Sequence, residues 1–167
     1  MERVKAVDKL PEARAVRRRR WKQPGRSFLE ATCQVRVRFQ EVDAMGVVWH
    51  GHYATFFDEG REAFGRKYGF GYQEVHQAGY FLPLVHLAID YRAPARFGDV
   101  LTVRCRLHPE SAARLIYTYQ LQNEAGERLA TGQSVQAFTD RNGKLVVTRP
   151  AVLEAMLERW AHALQEE

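Results

Sequence analysis

Five runs of alternating apolar and polar residues constrain the fold of this chain more than any other feature of its sequence. A period of two places the apolar side chains on one face, which predicts a strand with one dry side. The last four runs follow one another through short connections, and connections this short join antiparallel neighbours, not parallel crossovers. The first run ends at Phe39, and the other four occupy residues 85–91, 101–107, 115–121 and 128–139.

A second periodicity, with steps of three and four residues, follows the first run. It consists of Tyr53, Phe56, Phe57, Gly60, Ala63 and Phe64, with charged residues on the opposite side. This pattern predicts an amphipathic helix of about four turns that begins near Gly51 or His52 and ends at Tyr68, before Gly69. No further helix is predicted until Pro150 opens a short carboxy-terminal one. The expected fold class is α+β, with one long central helix wrapped by a curved antiparallel sheet of about five to six strands.

The outer face and the edges of such a sheet are expected to carry exposed apolar side chains, of which Ile116 and Phe138 are examples. Exposed apolar surface of this kind favours self-association, most simply as a symmetric dimer. A single helix on one sheet also leaves no deep cavity within a subunit. We therefore expect a ligand site to form between subunits.

The basic character of the chain is confined to its first residues. Residues 1–26 contain ten Lys or Arg and three Asp or Glu, a net charge of +7, so the other 141 residues carry +5 minus +7, or −2. A charge block of this kind is typical of a solvated, mobile segment and less often of a nucleic-acid-binding arm. We predict a basic amino-terminal extension over residues 1–28 and one domain over residues 29–165, with nucleic-acid binding unlikely.

The sequence also carries indications of compartment. No apolar run is long enough to span a membrane, and the amino terminus lacks the apolar core of a secretory signal. The two cysteines, Cys33 and Cys105, stand singly in alternating runs and are expected to be reduced thiols. These features predict a cytoplasmic protein without a membrane span.

The residues with the clearest chemical potential lie between the first strand and the helix. Asp43 falls in the connecting loop, and His50 immediately precedes the helix start. The first amides of a helix lack internal partners and carry partial positive charge, so an acid placed before them can face a carbonyl that they polarise. Gly46 and Gly51 would permit close approach of the backbone to a ligand. Such a geometry suits acyl transfer.

Other interpretations of this loop stay open at this point. Asp43 could be an ordinary turn or capping residue, and His50 could be structural. Asp43 with His50 and His52 could suggest a metal site, but no third His or Cys is nearby in sequence, and we predict no metal. The chain has no serine-nucleophile elbow, no phosphate-binding glycine loop and no Cys-His signature, which argues against a conventional serine or cysteine hydrolase.

The phrase from Asp43 to His50, DAMGVVWH, with Tyr53 three residues later, resembles the signature of hotdog-fold acyl-CoA thioesterases. The phrase YRAPARFGD, residues 91–99, is similar to the exit of that family's second strand. The resemblance is closest to the 4-hydroxybenzoyl-CoA thioesterase-like branch, which includes the Tol-Pal-associated thioesterases. It covers residues 35–138 and implies a hotdog fold that hydrolyses an acyl-CoA to a carboxylic acid and coenzyme A without a cofactor.

The resemblance also implies roles for individual residues. Asp43 matches the active-site aspartate, which acts as nucleophile or general base, and the backbone amide around His50 matches the oxyanion donor. The His50 side chain matches the histidine of the Tol-Pal-associated members and is expected to be catalytic. The expected substrate-binding residues are Gly46, Val48, Trp49 and Tyr53. The family's sites lie at dimer interfaces, which implies a homo-oligomer, either a dimer or a homotetramer built from dimers.

Two alternatives to a thioesterase are considered. The first is a non-catalytic acyl- or acyl-CoA-binding protein of the same fold, which an assay of catalytic turnover would distinguish. The second is a nucleic-acid-associated protein that acts through its arginine-rich extension, which would bind in a salt-dependent manner. The acyl-chain preference is not predicted, because Trp49, Phe56 and Phe57 could line an aliphatic or an aromatic pocket.

Overall fold

The computed structural model describes residues 29–108 and 110–163, so the predicted basic extension, residues 1–28, lies outside the described part of the chain. Seven strands and three α-helices follow one another in these ranges. In chain order they are β1 (Leu29–Arg36), α1 (His52–Tyr68), α2 (Tyr72–Gln77), β2 (Tyr80–Phe81), β3 (Leu84–Tyr91), β4 (Val100–His108), β5 (Arg114–Gln122), β6 (Arg128–Ala137), β7 (Thr139–Asp140) and α3 (Ala151–Ala163).

Five of the strands form one antiparallel sheet in the order β1-β4-β5-β6-β3. The alternation expected from the sequence is confirmed along its centre. On β4 the odd-numbered residues from Leu101 to Leu107 are buried, while the residues between them are partly exposed. Because α1 packs against β1, β4 and β5, the dry face of the sheet is the face that the helix covers.

Helix α1 has the predicted bounds and buries the predicted stripe. Phe57 and Phe64 are fully buried, and the ring of Phe57 stacks on Tyr119 of β5 with 4.7 Å between centroids. Gly60 lies so close to β4 that a Cβ at this position would come within 2.7 Å of Val103. The helix ends at Gly69, which adopts the left-handed conformation with φ of 62°.

The structure contains one short helix that the sequence pattern did not predict. Helix α2 has only six residues, too few for a repeated apolar period, and buries a single side chain, Val75. Its start is stabilised by Glu74, whose carboxylate accepts a 2.7 Å hydrogen bond from the backbone N–H of Gly71. Helix α3 was predicted, and its apolar face packs Trp160 edge-on against Phe64 and Phe70.

The expectation that Ile116 and Phe138 are exposed was wrong. Phe138 is 0% exposed because the chain leaves β6 at this point and enters a small second sheet, β2–β7, where the Tyr80 ring contacts it edge-on. Ile116 is also buried and lies in register between His108 and Val135 on the neighbouring strands. A tight turn at Asn142-Gly143 follows β7, with Gly143 at φ of 80°.

Strand β3 forms one edge of the sheet and carries exposed apolar side chains. Leu87, Ile89 and Tyr91 lie opposite Ser134, Gly132 and Ala130 of β6. Leu87 and Tyr91 are 39% and 50% exposed, and Leu84 and Val85 are exposed as well. We call the side chains of Leu84, Leu87, Ile89 and Tyr91 the β3 strip.

Candidate active site

Asp43 lies in a closed loop that connects β1 to α1. An isolated antiparallel bridge pairs Val42 with Val48 and closes the loop at its base. Inside it, the Asp43 N–H donates to the carbonyl of Val47 at 2.9 Å, and Gly46 N–H donates to the carbonyl of Asp43 at the same distance. Gly46 has a φ of 71°, a conformation that explains the glycine at this turn.

The Asp43 carboxylate is fixed within this loop. Its Oδ1 accepts a hydrogen bond of 2.8 Å from the backbone N–H of Met45. This bond holds Oδ1, and the second carboxylate oxygen takes no part in the turn. The Asp43 side chain is partly exposed. Asp43 is therefore both a turn residue, as the alternative interpretation expected, and an oriented carboxylate at the surface of the loop.

The second half of the loop is anchored to two other segments. Val48 N–H donates to the carbonyl of Ala95 at 2.8 Å, and Trp49 N–H donates to the carbonyl of Glu41 at 2.9 Å. A further bridge pairs Val47 with Arg96. These bonds fix the path of the backbone from Asp43 to the start of α1.

Two amides immediately before the first residue of helix α1 are unpaired in the described part of the chain. Its N-cap is Gly51, and no side chain caps its first turn. Within residues 29–108 and 110–163, the N–H groups of His50 and Gly51 donate to no other backbone group. Unpaired amides at the positive end of a helix dipole are suitable donors to an oxyanion.

Trp49 covers this helix start. A Cβ on Gly51 would overlap the indole ring, so the absence of a side chain at Gly51 is what lets the ring lie there. The ring also contacts His50, with 4.6 Å between centroids, and His52, with 5.5 Å. Trp49 remains 48% exposed and presents an apolar surface directly beside the open amides.

Two tyrosines hold the helix start, and only one of them was predicted as a site residue. The Tyr53 hydroxyl accepts a 3.2 Å hydrogen bond from Ala95 N–H, and the ring is buried. The Tyr91 hydroxyl donates to the carbonyl of His50 at 2.9 Å. Burial, together with the neighbouring Tyr53, raises the pKa of Tyr91, which keeps this donor protonated. Tyr91 opens the YRAPARFGD phrase, so the signal for it was present in the sequence.

The six predicted site residues all lie between residues 43 and 53, but the two catalytic candidates, Asp43 and His50, are not bonded to each other. No hydrogen bond or ion pair joins Asp43 to His50 in the part of the chain that the structure describes. The His50 side chain is exposed and contacts Trp49. Val48 is buried beneath the loop. The backbone of His50 lies next to the start of α1.

Two further properties bear on the kind of site this is. Among the described residues, no group of three His, Cys, Asp or Glu side chains is arranged to hold a metal ion. In the same ranges, no helix combines the length and the apolar character needed to cross a membrane.

Comparison with known proteins identifies the family. The chain matches the family described as the thioesterase-like superfamily over residues 37–160. It is 33% identical over 137 residues to the chloroplastic acyl-acyl carrier protein thioesterase ATL3 of Arabidopsis thaliana, covering 80% of this chain and 69% of that protein. It is 32% identical over 105 residues to a 1,4-dihydroxy-2-naphthoyl-CoA hydrolase of Synechocystis sp., covering 62% of this chain and 76% of that protein.

Solved structures agree with this assignment. The structure superimposes on a DHNA-CoA thioesterase from Staphylococcus aureus with a TM-score of 0.69 and 26% identity, covering 82% of this chain and 89% of that one. The family match includes the Asp43 loop, α1 and the strands β3, β4, β5 and β6 of the main sheet. The chain therefore belongs to the thioesterase-like superfamily, and its helix and curved sheet form the hotdog fold.

Proposed function

We propose that Asp43, together with the backbone amides of His50 and Gly51 at the start of α1, carries out the hydrolysis of an acyl-CoA thioester by this protein. The protein is a thioester hydrolase that releases a carboxylic acid and coenzyme A. The observation that carries the proposal is the pairing, in one loop, of a carboxylate oriented by Met45 N–H with the unpaired N–H groups of His50 and Gly51. The first supplies the attacking or activating group, and the second receives the charge on the carbonyl oxygen.

The chemistry requires the charge of Asp43 in either of two routes. As a nucleophile, the carboxylate adds to the thioester carbonyl, the oxyanion collapses with loss of the coenzyme A thiolate, and water then hydrolyses the anhydride. As a general base, the carboxylate takes a proton from water, the resulting hydroxide adds to the carbonyl, and the oxyanion collapses with loss of the coenzyme A thiolate. In both routes the amides of His50 and Gly51 stabilise the oxyanion. In comparable sites, one such donor lowers the activation free energy by about 3 kcal/mol.

The proposed substrate-binding residues divide by burial. Trp49, exposed beside the amides, contacts the acyl group, while the buried Val48 and Tyr53 form the floor on which the loop lies. Gly46 permits the turn that points the Asp43 carboxylate outward. His50 contributes its backbone amide, and its side chain lies where it can contact the substrate next to Trp49.

The proposal includes a homo-oligomer in which the site lies at a subunit interface. Within residues 29–108 and 110–163, strand β3 pairs with β6 alone, and it carries the exposed β3 strip. Both are properties of a surface that pairs with a second copy. Tyr91 belongs to this strip and also bonds to His50, so an interface along β3 would lie beside the helix start. A dimer is the basic unit of this proposal, and a tetramer would be two such dimers.

We place the enzyme in the cytoplasm. Cys33 and Cys105 are free thiols. Burial is the main reason that the pKa of each thiol is raised, which keeps both in the unreactive protonated form. Unpaired structural cysteines are typical of reducing compartments.

The test is release of thiol from a panel of short, long and aromatic acyl-CoAs, with acyl carrier protein thioesters included. Asp43→Asn keeps an oxygen that can accept from Met45 N–H but removes the charge, so we expect kcat/KM to fall by about 100-fold or more with the loop intact. Asp99→Asn is the matched control, because Asp99 also accepts a bond from a nearby backbone N–H, that of Arg96.

Each outcome of this test has a defined meaning. Loss of activity in Asp43→Asn alone supports the assignment, and the best substrate identifies the acyl preference. Full activity in a folded Asp43→Asn variant would remove Asp43 from its central role. Saturable binding of acyl-CoA by the wild type without any turnover would replace the proposal with the non-catalytic binding protein.

A further inference from the structure

A second groove lies away from the Asp43 loop, between α1, α2 and the sheet. It has a volume of about 560 Å³, within the range of small-molecule sites. Its apolar walls are Phe70, Tyr72, Leu82 and Tyr117. Six polar or charged side chains also line it, namely Arg61, Glu62, Arg66, Gln73, Glu74 and Gln136. The groove therefore combines apolar walls with polar and charged groups.

Gln136 has a buried polar atom without a partner. The residue is 4% exposed, and its Oε1 accepts no hydrogen bond from the described part of the chain. It shares the helix-facing side of β6 with Ser134, whose hydroxyl is bonded to the Tyr119 hydroxyl at 2.7 Å. An unsatisfied buried acceptor destabilises a fold by about 1–3 kcal/mol, so it calls for an explanation. A ligand in the groove that donates a hydrogen bond to Gln136 Oε1 would explain this unpaired acceptor.

The charged side chains that line the groove already have partners. Glu74 accepts a hydrogen bond of 2.7 Å from Gly71 N–H. Arg61 is bonded to Asp58 at 3.0 Å, and Arg66 pairs with Glu62 at 3.4 Å. Burial alone would lower the pKa of Arg61, but the hydrogen bond and charge of Asp58 raise it, so the guanidinium stays a donor. Because the arginines are already paired with carboxylates, the groove favours an uncharged polar group over an anion. A group that donates to Gln136 and accepts from Arg61 at once is a hydroxyl.

We propose that this groove binds a hydroxyl group carried on an apolar chain, with Gln136 Oε1 accepting the hydroxyl proton and Arg61 donating to its oxygen. Two sources of that chemistry are considered. One is the far end of the substrate's acyl chain, which rests on the proposed function. The other is a free hydroxylated fatty acid.

The length of α1 sets the acyl-chain length that would reach the groove from the helix start. Helix residues rise 1.5 Å each, so Arg61 lies roughly 15 Å along α1 from Gly51, about the length of a twelve-carbon chain. An acyl group whose carbonyl lies at the helix start would need about this length to place its terminal hydroxyl beside Arg61. Shorter acyl groups would end before the groove.

The experiment compares 12-hydroxydodecanoyl-CoA with dodecanoyl-CoA, and free 12-hydroxydodecanoate with dodecanoate. Kinetics measure kcat/KM for the first pair, and calorimetry measures binding of the second. The variants are Gln136→Met, which keeps side-chain length but removes the acceptor, and Gln136→Leu in case the first fails to fold. Gln133→Leu is the matched control, because Gln133 lies on the opposite face of β6. Thermal unfolding is measured for all variants.

If the acyl chain enters the groove, the wild type and Gln133→Leu should prefer the hydroxylated thioester by about five- to tenfold, the usual effect of one neutral hydrogen bond. Gln136→Met should lose that preference and unfold at no lower temperature. If the ligand is separate, both thioesters should react equally, and free 12-hydroxydodecanoate should bind to the wild type but not to Gln136→Met.

The inference is overturned if the wild type shows neither the kinetic preference nor the binding, or if Gln136→Met retains whichever of them the wild type shows. Failure of the proposed function is distinguishable from this result, because it appears as absent turnover of both thioesters. Binding of the free hydroxy acid in that case would still support the groove.

Discussion

At the scale of single residues, Gly46 and Gly51 occupy the same loop for different physical reasons. Gly46 adopts a φ of 71° with open space around it, so a side chain there would meet no atom but would strain the backbone. Gly51 has an ordinary helical conformation, with φ of −66°, but its missing Cβ is the space that Trp49 fills. The first glycine is a requirement of conformation, and the second is a requirement of packing.

We expect Gly51→Ala and Gly46→Ala to separate catalysis from stability. A methyl group at Gly51 displaces the Trp49 ring from the helix start, and misplacement at a reacting centre should lower kcat/KM by about tenfold or more. The same change at Gly46 should destabilise the fold by about 1–2 kcal/mol, because an L residue is strained there. Acyl-CoA kinetics and urea unfolding measure the two effects. Normal kinetics in Gly51→Ala would contradict the role given to Trp49.

The Asp43 loop was predictable because its residues are adjacent in the sequence. Asp43 lies in the loop between a strand and an amphipathic helix, so it precedes the helix start independently of how the other strands are arranged. The role of Tyr91 was not predictable in this way, since it depends on a contact between residues 41 positions apart. The same is true of Tyr53, whose predicted place in the pocket gave no indication that its hydroxyl holds Ala95.

At the scale of elements, the accuracy of prediction followed the length of the periodic pattern. Helix α1 repeats its apolar step over 17 residues, and its bounds were predicted closely. Helix α2 has six residues and one buried side chain, so it offers no repeat to detect. Phe138 was assigned to the wrong environment because the chain changes sheets after Ala137, and alternation has no meaning across such a change.

The β4–β5 pair contains a histidine that should make stability depend on pH. His108 contacts the Thr118 hydroxyl at 2.7 Å, and burial, with the positive charge of Arg106 nearby, lowers its pKa below the usual 6.5. As the pH falls through about 6.5, the unfolded chain therefore binds a proton before the folded chain does. The contribution of His108 to stability is complete above that pH and is lost below it, toward the lowered pKa of the folded state.

Replacing His108 with Gln should remove this pH dependence. We expect the fall in melting temperature between about pH 7.5 and pH 5.5 to be smaller in His108→Gln than in the wild type. His76→Gln, at the exposed end of α2, is the control and should leave the fall unchanged. An identical fall in His108→Gln and the wild type would mean that His108 is not the group responsible.

At the scale of the whole molecule, exposed apolar surface lies at an edge of the sheet, but on other residues than those chosen from the sequence. The sequence pattern indicated the outer face and the edges of the sheet, with Ile116 and Phe138 as examples, and both residues are buried. Alternation distinguishes the two faces of a strand, but the order of strands decides which of them form an edge. The β3 strip is exposed because β3 is an edge strand and α1 packs on β1, β4 and β5.

This arrangement predicts that assembly and activity depend on the same strand. A lysine at an edge strand opposes pairing with a second copy, so Leu87→Lys should convert the oligomer to a monomer in sedimentation velocity. Because Tyr91 of the same strip bonds to His50, loss of the interface should also lower thioesterase activity sharply. Leu145→Lys is the control, since Leu145 is similarly exposed but lies outside β3. A monomeric Leu87→Lys with full activity would show that each subunit holds a complete site, and an unchanged oligomer would exclude β3 as the interface.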